Sequence, residues 1–287
     1  MDLMLDIIID TVLDCLKMLP FLMAAFLLVE MLEQYSGNFV GRLFQRIGKA
    51  GPVVGAFAGC VPQCGFSVMA ANLYAGGVIS PGTLLAVFLA TSDEAVLIIL
   101  SVPERFKEVG MLLAVKIFIA VTAGYIVDLF CKNKLETAKG SGQVCGGCGG
   151  HEKGAGIFLP AWRHTRRIFV YLLVFTGILN LCIQLLGLDR LSSFLLGNTI
   201  FQPAAAAVIG FIPNCAASVV LTQLYLSGAI SFPSAAAGLC TGTGAGFIVL
   251  CKVNCHKKEN AKIAGLLFIF AVVAGIVLGY MEIFIGF

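Results

Sequence analysis

Charge is what this chain has least of: of its 287 residues only 12% are Asp, Glu, Lys or Arg, while 59% are hydrophobic and the mean hydropathy is +0.97. That scarcity excludes a disordered or highly charged soluble chain and predicts a protein that crosses the membrane several times. No stretch reads as a separate soluble domain, and no ATP-binding motif is present. The N-terminus, MDLMLDIIIDTVLDCLK, lacks the small-residue cleavage site of a signal peptide and is expected to stay in the mature protein. The net charge of +3 is no sign of a nucleic-acid partner, because the basic residues lie between apolar segments instead of on one polar face. The 11 cysteines, odd in number and mostly inside apolar segments, do not form the disulfide framework of a small secreted domain.

What is present is a repeat. Residues 59–80, GCVPQCGFSVMAANLYAGGVIS, align without a gap on residues 210–231, GFIPNCAASVVLTQLYLSGAIS, with ten of 22 positions identical. Pro62 falls on Pro213, Gln63 on Asn214, Cys64 on Cys215, Ser67 on Ser218, Asn72 on Gln223 and Tyr74 on Tyr225. A one-residue shift then sets Pro81 on Pro233 and Thr91 on Thr243. The chain therefore divides into a first membrane repeat, residues 1–131, a Cys- and Gly-rich loop, 132–161, and a second repeat, 162–287.

The basic residues orient the repeats. Residues 42–49 hold three Lys or Arg, 132–167 hold seven and 252–262 hold four, whereas the connections near Arg105, Lys107 and Arg190 hold three together. With the richer segments cytoplasmic, both termini are expected outside, the loop 132–161 inside, and the two repeats inverted. From Gly51 to Val61 is about 16 Å of helix, half a bilayer. The fold class expected is an all-α polytopic membrane protein of two inverted-topology repeats. Each would carry three spanning helices and a re-entrant helical hairpin, residues 51–77 and 202–228, about ten helical segments in total. The alternative is ten full spans. Single helices are expected from about Gly82 to Ser101 and from about Pro233 to Leu250.

Irregular backbone at membrane depth is tolerated only where protein or a cavity surrounds it. Two Pro-polar-Cys tips at one depth thus suggest a binding site between the repeats. There Pro62 and Pro213 free carbonyls, Gln63 and Asn214 offer donor and acceptor, and Cys64 and Cys215 sit where a helix would begin. Ser67, Ser218, Thr91, Ser92, Thr241 and Thr243 add hydroxyls. Such a site suits an anion, or a soft metal or metalloid. The plainer reading is a tight turn with small buried thiols, but a turn alone does not require the same thiol and amide twice. Cys60, which faces Phe211 in the alignment, reads as packing.

LATSDEAVLII, residues 89–99, sets Asp93 and Glu94 inside an apolar span, where an unpaired carboxylate is costly. Lys116 lies at a similar depth in the next helix. It either pairs with one of them structurally or modulates a carboxylate that titrates or binds a coupling cation. The matching LCTGTGAGFIV has no acid, so the site is asymmetric in charge. Its glycines either admit a close neighbour or mark a broken helix. In the central loop, Cys145, Cys148 and His151 of CGGCGGH offer three ligands for transient metal capture, a redox pair, or a linker with incidental thiols. Cys251, Cys255 and His256 lie on the same membrane face. No resident cofactor is expected beyond that transient metal, and a homodimer stays open.

The paired CVPQCG and IPNC tips, the TSDEA span and the Cys-, His- and Gly-rich loop resemble, over essentially the whole chain, the ten-helix heavy-metal exporters. These are relatives of the arsenic permease group, described as arsenic efflux proteins or manganese transporters. The resemblance implies a metal or metalloid exporter of the inner membrane, and the Cys-richer loop here favours a thiol-seeking cargo. The rival readings are a channel or importer for a small sulfur-containing or other anion with a cysteine relay, and a membrane thiol oxidoreductase or structural subunit.

Overall fold

The computed structural model describes residues 50–61, 64–91, 93–100, 105–130, 201–213, 215–254 and 256–285, with isolated positions at 12–27 and 158–174. Helices α1 (Gly51–Gly59), α2 (Cys64–Ala75), α3 (Pro81–Ala90), α4 (Asp93–Leu100) and α5 (Phe106–Phe130) come first. They are followed by α6 (Gln202–Gly210), α7 (Cys215–Leu226), α8 (Phe232–Thr241), α9 (Ala245–Val253) and α10 (Lys257–Ile285). Among the described residues there is no strand.

Helix starts are written in the sequence. Pro52, Pro81, Pro203 and Pro233 each occupy one of the first two helical positions, where a missing N–H is no loss. Ser80 caps α3, its hydroxyl accepting from the Thr83 N–H at 3.0 Å. The Ser80 hydroxyl in turn donates to Asp128 Oδ2 at 2.7 Å, and Asp128 Oδ1 accepts from the Gly82 N–H at 2.9 Å. The corresponding cap Ser231 is held instead by Gln202 Oε1, which also accepts from the Ser234 hydroxyl at 2.8 Å. The same job is done by α5 in one half and by α6 in the other.

The two halves correspond element for element. Exchanging α1–α5 with α6–α10 maps every packed pair onto another packed pair: α1 on α3 and α6 on α8, α3 on α5 and α8 on α10. Between the halves, α2 packs on α9 as α7 packs on α4. Single contacts repeat too. A Cβ at Gly124 would stand 2.7 Å from Pro52 Cβ and 3.2 Å from Ala86 Cβ; at Gly275 the same atoms belong to Pro203 and Ala237, at 2.8 and 2.7 Å. Each partner lies 151 residues after its mate.

Lengths sort the helices by what they can cross. α5, with 25 residues, and α10, with 29, exceed the roughly 20 residues that span a hydrocarbon core. α1 and α6, with nine each, rise about 14 Å. Among the described residues three stretches are long and apolar enough to cross a membrane: Phe106–Phe130, Phe232–Val253 and Lys257–Glu282. Phe232–Val253 is 83% buried within the protein and Lys257–Glu282 only 22%, so the former sits inside the bundle and the latter faces outward. Exposed Phe118, Leu129, Ile269 and Val273 make those outer faces apolar, as lipid contact requires.

The innermost helices are α3 and α8. Every residue of Gly82–Ala90 and of Pro233–Thr241 is buried, and helices apolar on all sides belong in a core. Both stop short. The single helix expected from Gly82 to Ser101 is divided at Thr91, and the one expected from Pro233 to Leu250 is divided at residues 242–244. The second break follows the local chemistry, since Gly244 sits at φ 53°, a conformation that favours glycine. The helix limits also correct the register of the repeat. α3 and α8 begin after Ser80 and Ser231 and end at Ala90 and Thr241, without a shift; the extra residue lies in the break, because Pro is tolerated at either of the first two positions.

Candidate functional site between the broken helices

Each break sets the end of one helix beside the start of another, so unpaired carbonyls and unpaired N–H groups lie close together inside the bundle. The carbonyl side is occupied. Lys116, fully buried on α5, donates from Nζ to the Thr91 carbonyl at the end of α3 and, at 2.9 Å, to the Leu239 carbonyl in the last turn of α8. A helix C-terminus carries about half a negative charge. Two of them sum to about one, which a single ammonium matches. The position equivalent to Lys116 is Leu267, also fully buried, so the charge is present in one half only.

The sequence expects Lys116 to pair with Asp93 or Glu94, or to modulate them. These two residues open α4, and their side chains lie outside the described ones. Two of the contacts of Lys116 are to backbone carbonyls, and these join the two halves of the chain.

The remaining hydroxyls sort around this junction. Thr91 Oγ1 donates to the Val87 carbonyl at 2.8 Å, and Thr241 Oγ1 donates at 2.8 Å to both the Ala207 and Gly238 carbonyls, tying α6 to α8. Thr243 is buried in the break, where its N–H donates to the Thr241 carbonyl at 2.9 Å and its carbonyl accepts from the Gly246 N–H. Ser67 on α2 is fully buried, and a Cβ at Gly246 would stand 2.6 Å from Ser67 Cβ. The glycines of TGTGAG therefore do both things expected of them as alternatives: they break the helix and admit α2. Ser218 is buried on α7, the mate of α2.

Cys64 and Cys215 are the first residues of α2 and α7, as their place after the proline predicts, and Pro213 is half-buried just before α7. The side chains of Cys64 and Cys215, and all of Pro62, Gln63, Ser92, Asn214, Cys145, Cys148, His151 and Cys255, lie outside the described residues. Cys251 and His256 are exposed on α9 and before α10. Among the described residues no three His, Cys, Asp or Glu cluster to hold a metal.

Two thiols that sequence reasoning did not select lie near this junction, Cys240 one residue after Leu239. Cys60, read as packing, closes α1, and Cys240, fully buried, lies in the last turn of α8; both belong to one apolar cluster of the core. Only the ending of α3 and α8 at one place brings them together, and no local spacing announces it.

Broken helices buried inside a bundle whose outer helices are long and apolar are those of an integral membrane protein. The chain belongs to the family described as "Putative, 10TM heavy-metal exporter", whose model matches residues 3–185. No curated protein and no solved structure matches it.

Proposed function

We propose that the chain is a secondary-active transporter of the inner membrane that exports a thiol-seeking heavy-metal or metalloid species. The path runs through a midplane site between the two Pro-polar-Cys tips. The observation that carries this reading is the Lys116 junction, where two helices broken inside the bundle present their C-termini to one buried ammonium. The short α1 and α6, the exchange symmetry of the packing and the uneven basic loops support re-entrant hairpins in inverted repeats. In this arrangement both termini lie outside and the loop 132–161 in the cytoplasm, where Cys145, Cys148 and His151 capture metal transiently. The chain is no enzyme and uses no resident cofactor.

Cys64 and Cys215, at two helix starts, hold the cargo together with Gln63 and Asn214. Asp93 or Glu94 carries the coupling proton or cation. Glu94 is second in α4, as Gly246, which packs against Ser67, is second in α9. Because α4 packs on α7 as α9 packs on α2, this register sets Glu94 level with Ser218. The experiment is accumulation of trivalent arsenic or antimony in everted vesicles. The C64S/C215S variant is expected to lose at least about tenfold in initial rate, the loss of one good ligand interaction; full retention rules out the thiol role.

One observation favours a second reading. Cys64 and Cys215 both stand at helix N-termini, which attract anions. An importer or channel for a small sulfur-containing anion with a cysteine relay would show sulfite or thiosulfate flux that is lost in C64S/C215S, together with absent metal accumulation.

A further inference from the structure

The turn that joins α9 to α10 is fixed by two buried asparagines. Asn254 Nδ2 donates to Asn260 Oδ1 at 2.7 Å, Asn260 Nδ2 donates back to the Asn254 carbonyl at 3.2 Å, and the His256 N–H donates to Asn254 Oδ1 at 3.2 Å. The His256 carbonyl accepts from the N–H groups of Glu259 and Asn260 at 2.9 and 3.1 Å. A buried and satisfied polar bracket of this kind holds the end of α9 against the start of α10.

Around that turn the chain is basic. Lys252, Lys257, Lys258 and Lys262 are exposed, and Glu259 is the single acid in residues 252–262, so four lysines stand against one glutamate. The equivalent turn of the first half, 151 residues earlier, is balanced: residues 101–111 hold Arg105 and Lys107 against Glu104 and Glu108. There Arg105 Nη1 lies 3.3 Å from Glu108 Oε2, and the Tyr225 hydroxyl donates to that same oxygen at 2.6 Å. Among the described residues no carboxylate pairs with Lys257, Lys258 or Lys262. The positions that answer to Lys252, Lys257 and Lys262 are Ser101, Phe106 and Met111, so three of the four cations are additions to a shared scaffold.

Helix α10 begins among these lysines and continues as an outward-facing apolar span. Lys258, Lys262, Gly265, Ile269, Val273 and Val277, three or four residues apart, are all exposed and make one face. Lys257 to Lys262 covers about 8 Å along the helix, close to the depth of a headgroup layer, and long lysine side chains reach outward from there. Next along the face, Gly265 leaves open space, with nothing within 4 Å of an added Cβ, and the residues that follow are aliphatic. Cations at the interface, a notch and an aliphatic track match, in order, the phosphate, glycerol and acyl chain of one phospholipid.

We infer that this face of α10 seats an anionic glycerophospholipid, its phosphate held by Lys257, Lys258 and Lys262 while Lys252 adds charge from α9. A zwitterionic lipid brings its own cation to the same lysines and is disfavoured there. The seat needs α10 to span the membrane and is independent of the cargo and of the orientation of the repeats.

Hydrogen exchange of the full chain in phosphatidylcholine nanodiscs, titrated with phosphatidylglycerol, tests the seat. Phosphatidylglycerol is expected to slow exchange in residues 252–262 and to leave residues 105–111 unchanged. K257Q/K258Q/K262Q, changed only at exposed positions, is expected to need at least about fivefold more phosphatidylglycerol for half of that protection, the contribution of one lysine near an anionic surface. In lipid-free detergent neither inorganic phosphate nor glycerol phosphate is expected to protect the segment. No protection by phosphatidylglycerol, equal protection of both turns, or a glutamine variant that titrates as wild type overturns the seat and leaves the lysines to orient the chain alone. Protection by inorganic phosphate or glycerol phosphate as strong as that by the lipid overturns it in favour of a soluble phosphate.

Discussion

Lys116→Met is expected to abolish transport, a fall of tenfold or more in initial rate, without unfolding the protein. Two effects on stability oppose each other. The variant loses donors to two buried carbonyls, each costing about 1–3 kcal/mol when left unmet, but it also removes a buried ammonium whose desolvation costs several kcal/mol. These terms are of similar size, so the melting temperature changes little. Electrostatics at the junction does change, because the last turns of α3 and α8 keep about one negative charge between them with nothing to balance it. A small cation is then expected to take the place of the ammonium. Sodium or potassium should raise the melting temperature of K116M relative to choline at equal ionic strength, and should leave wild type unaffected. A K116M protein that transports normally, or whose stability ignores the cation, contradicts the role given to this residue.

Gly210→Ala is expected to be as damaging to the fold as Lys116→Met is to transport. An added Cβ would overlap the Gly238 carbonyl oxygen and the Thr241 hydroxyl, and Gly238 is backbone inside a fully buried helix. No rotamer change relieves that contact, so α6 must withdraw from α8, at a cost of about 3 kcal/mol. Its mate Gly59 faces the Val87 carbonyl oxygen at 2.5 Å and is expected to be similarly intolerant. Gly265 has nothing within 4 Å of an added Cβ and serves as control. Thermal unfolding in detergent should show G210A and G59A melting well below wild type, and G265A unchanged or slightly higher, as helix propensity favours alanine. Equal melting of all three would mean that α6 and α8 are not packed as described.

These two residues also mark what the sequence discloses. The repeat, the helix starts at Cys64 and Cys215, and the small residues at the tips are legible, because prolines, N-caps and glycines act through local sterics. The break at 242–244 is legible as one of two alternatives. The break at Thr91 is not: LATSDEA contains neither proline nor glycine, and every residue in it is compatible with a continuing helix. It is the packing of α3 against α8 and the pull of Lys116 on the freed carbonyl that accompany the interruption there. The partners seen for Lys116 were hidden for a related reason. A side chain is visible in a sequence and a backbone acceptor is not, so a buried lysine is naturally matched to the nearest acids. Tyr225 and Glu108 are 117 residues apart, and Cys60 and Cys240 further still, so each pairing depends on the fold as a whole.

The central claim, that this member of a heavy-metal exporter family moves a soft metal species by a gradient, is tested most directly in everted membrane vesicles carrying the intact protein. Accumulation of trivalent arsenic, trivalent antimony, cadmium and manganese would be measured with and without a proton ionophore, in the absence of ATP. The account predicts accumulation of at least one thiol-seeking species that collapses when the ionophore is added. Accumulation of none of them, or accumulation indifferent to the gradient, would contradict it.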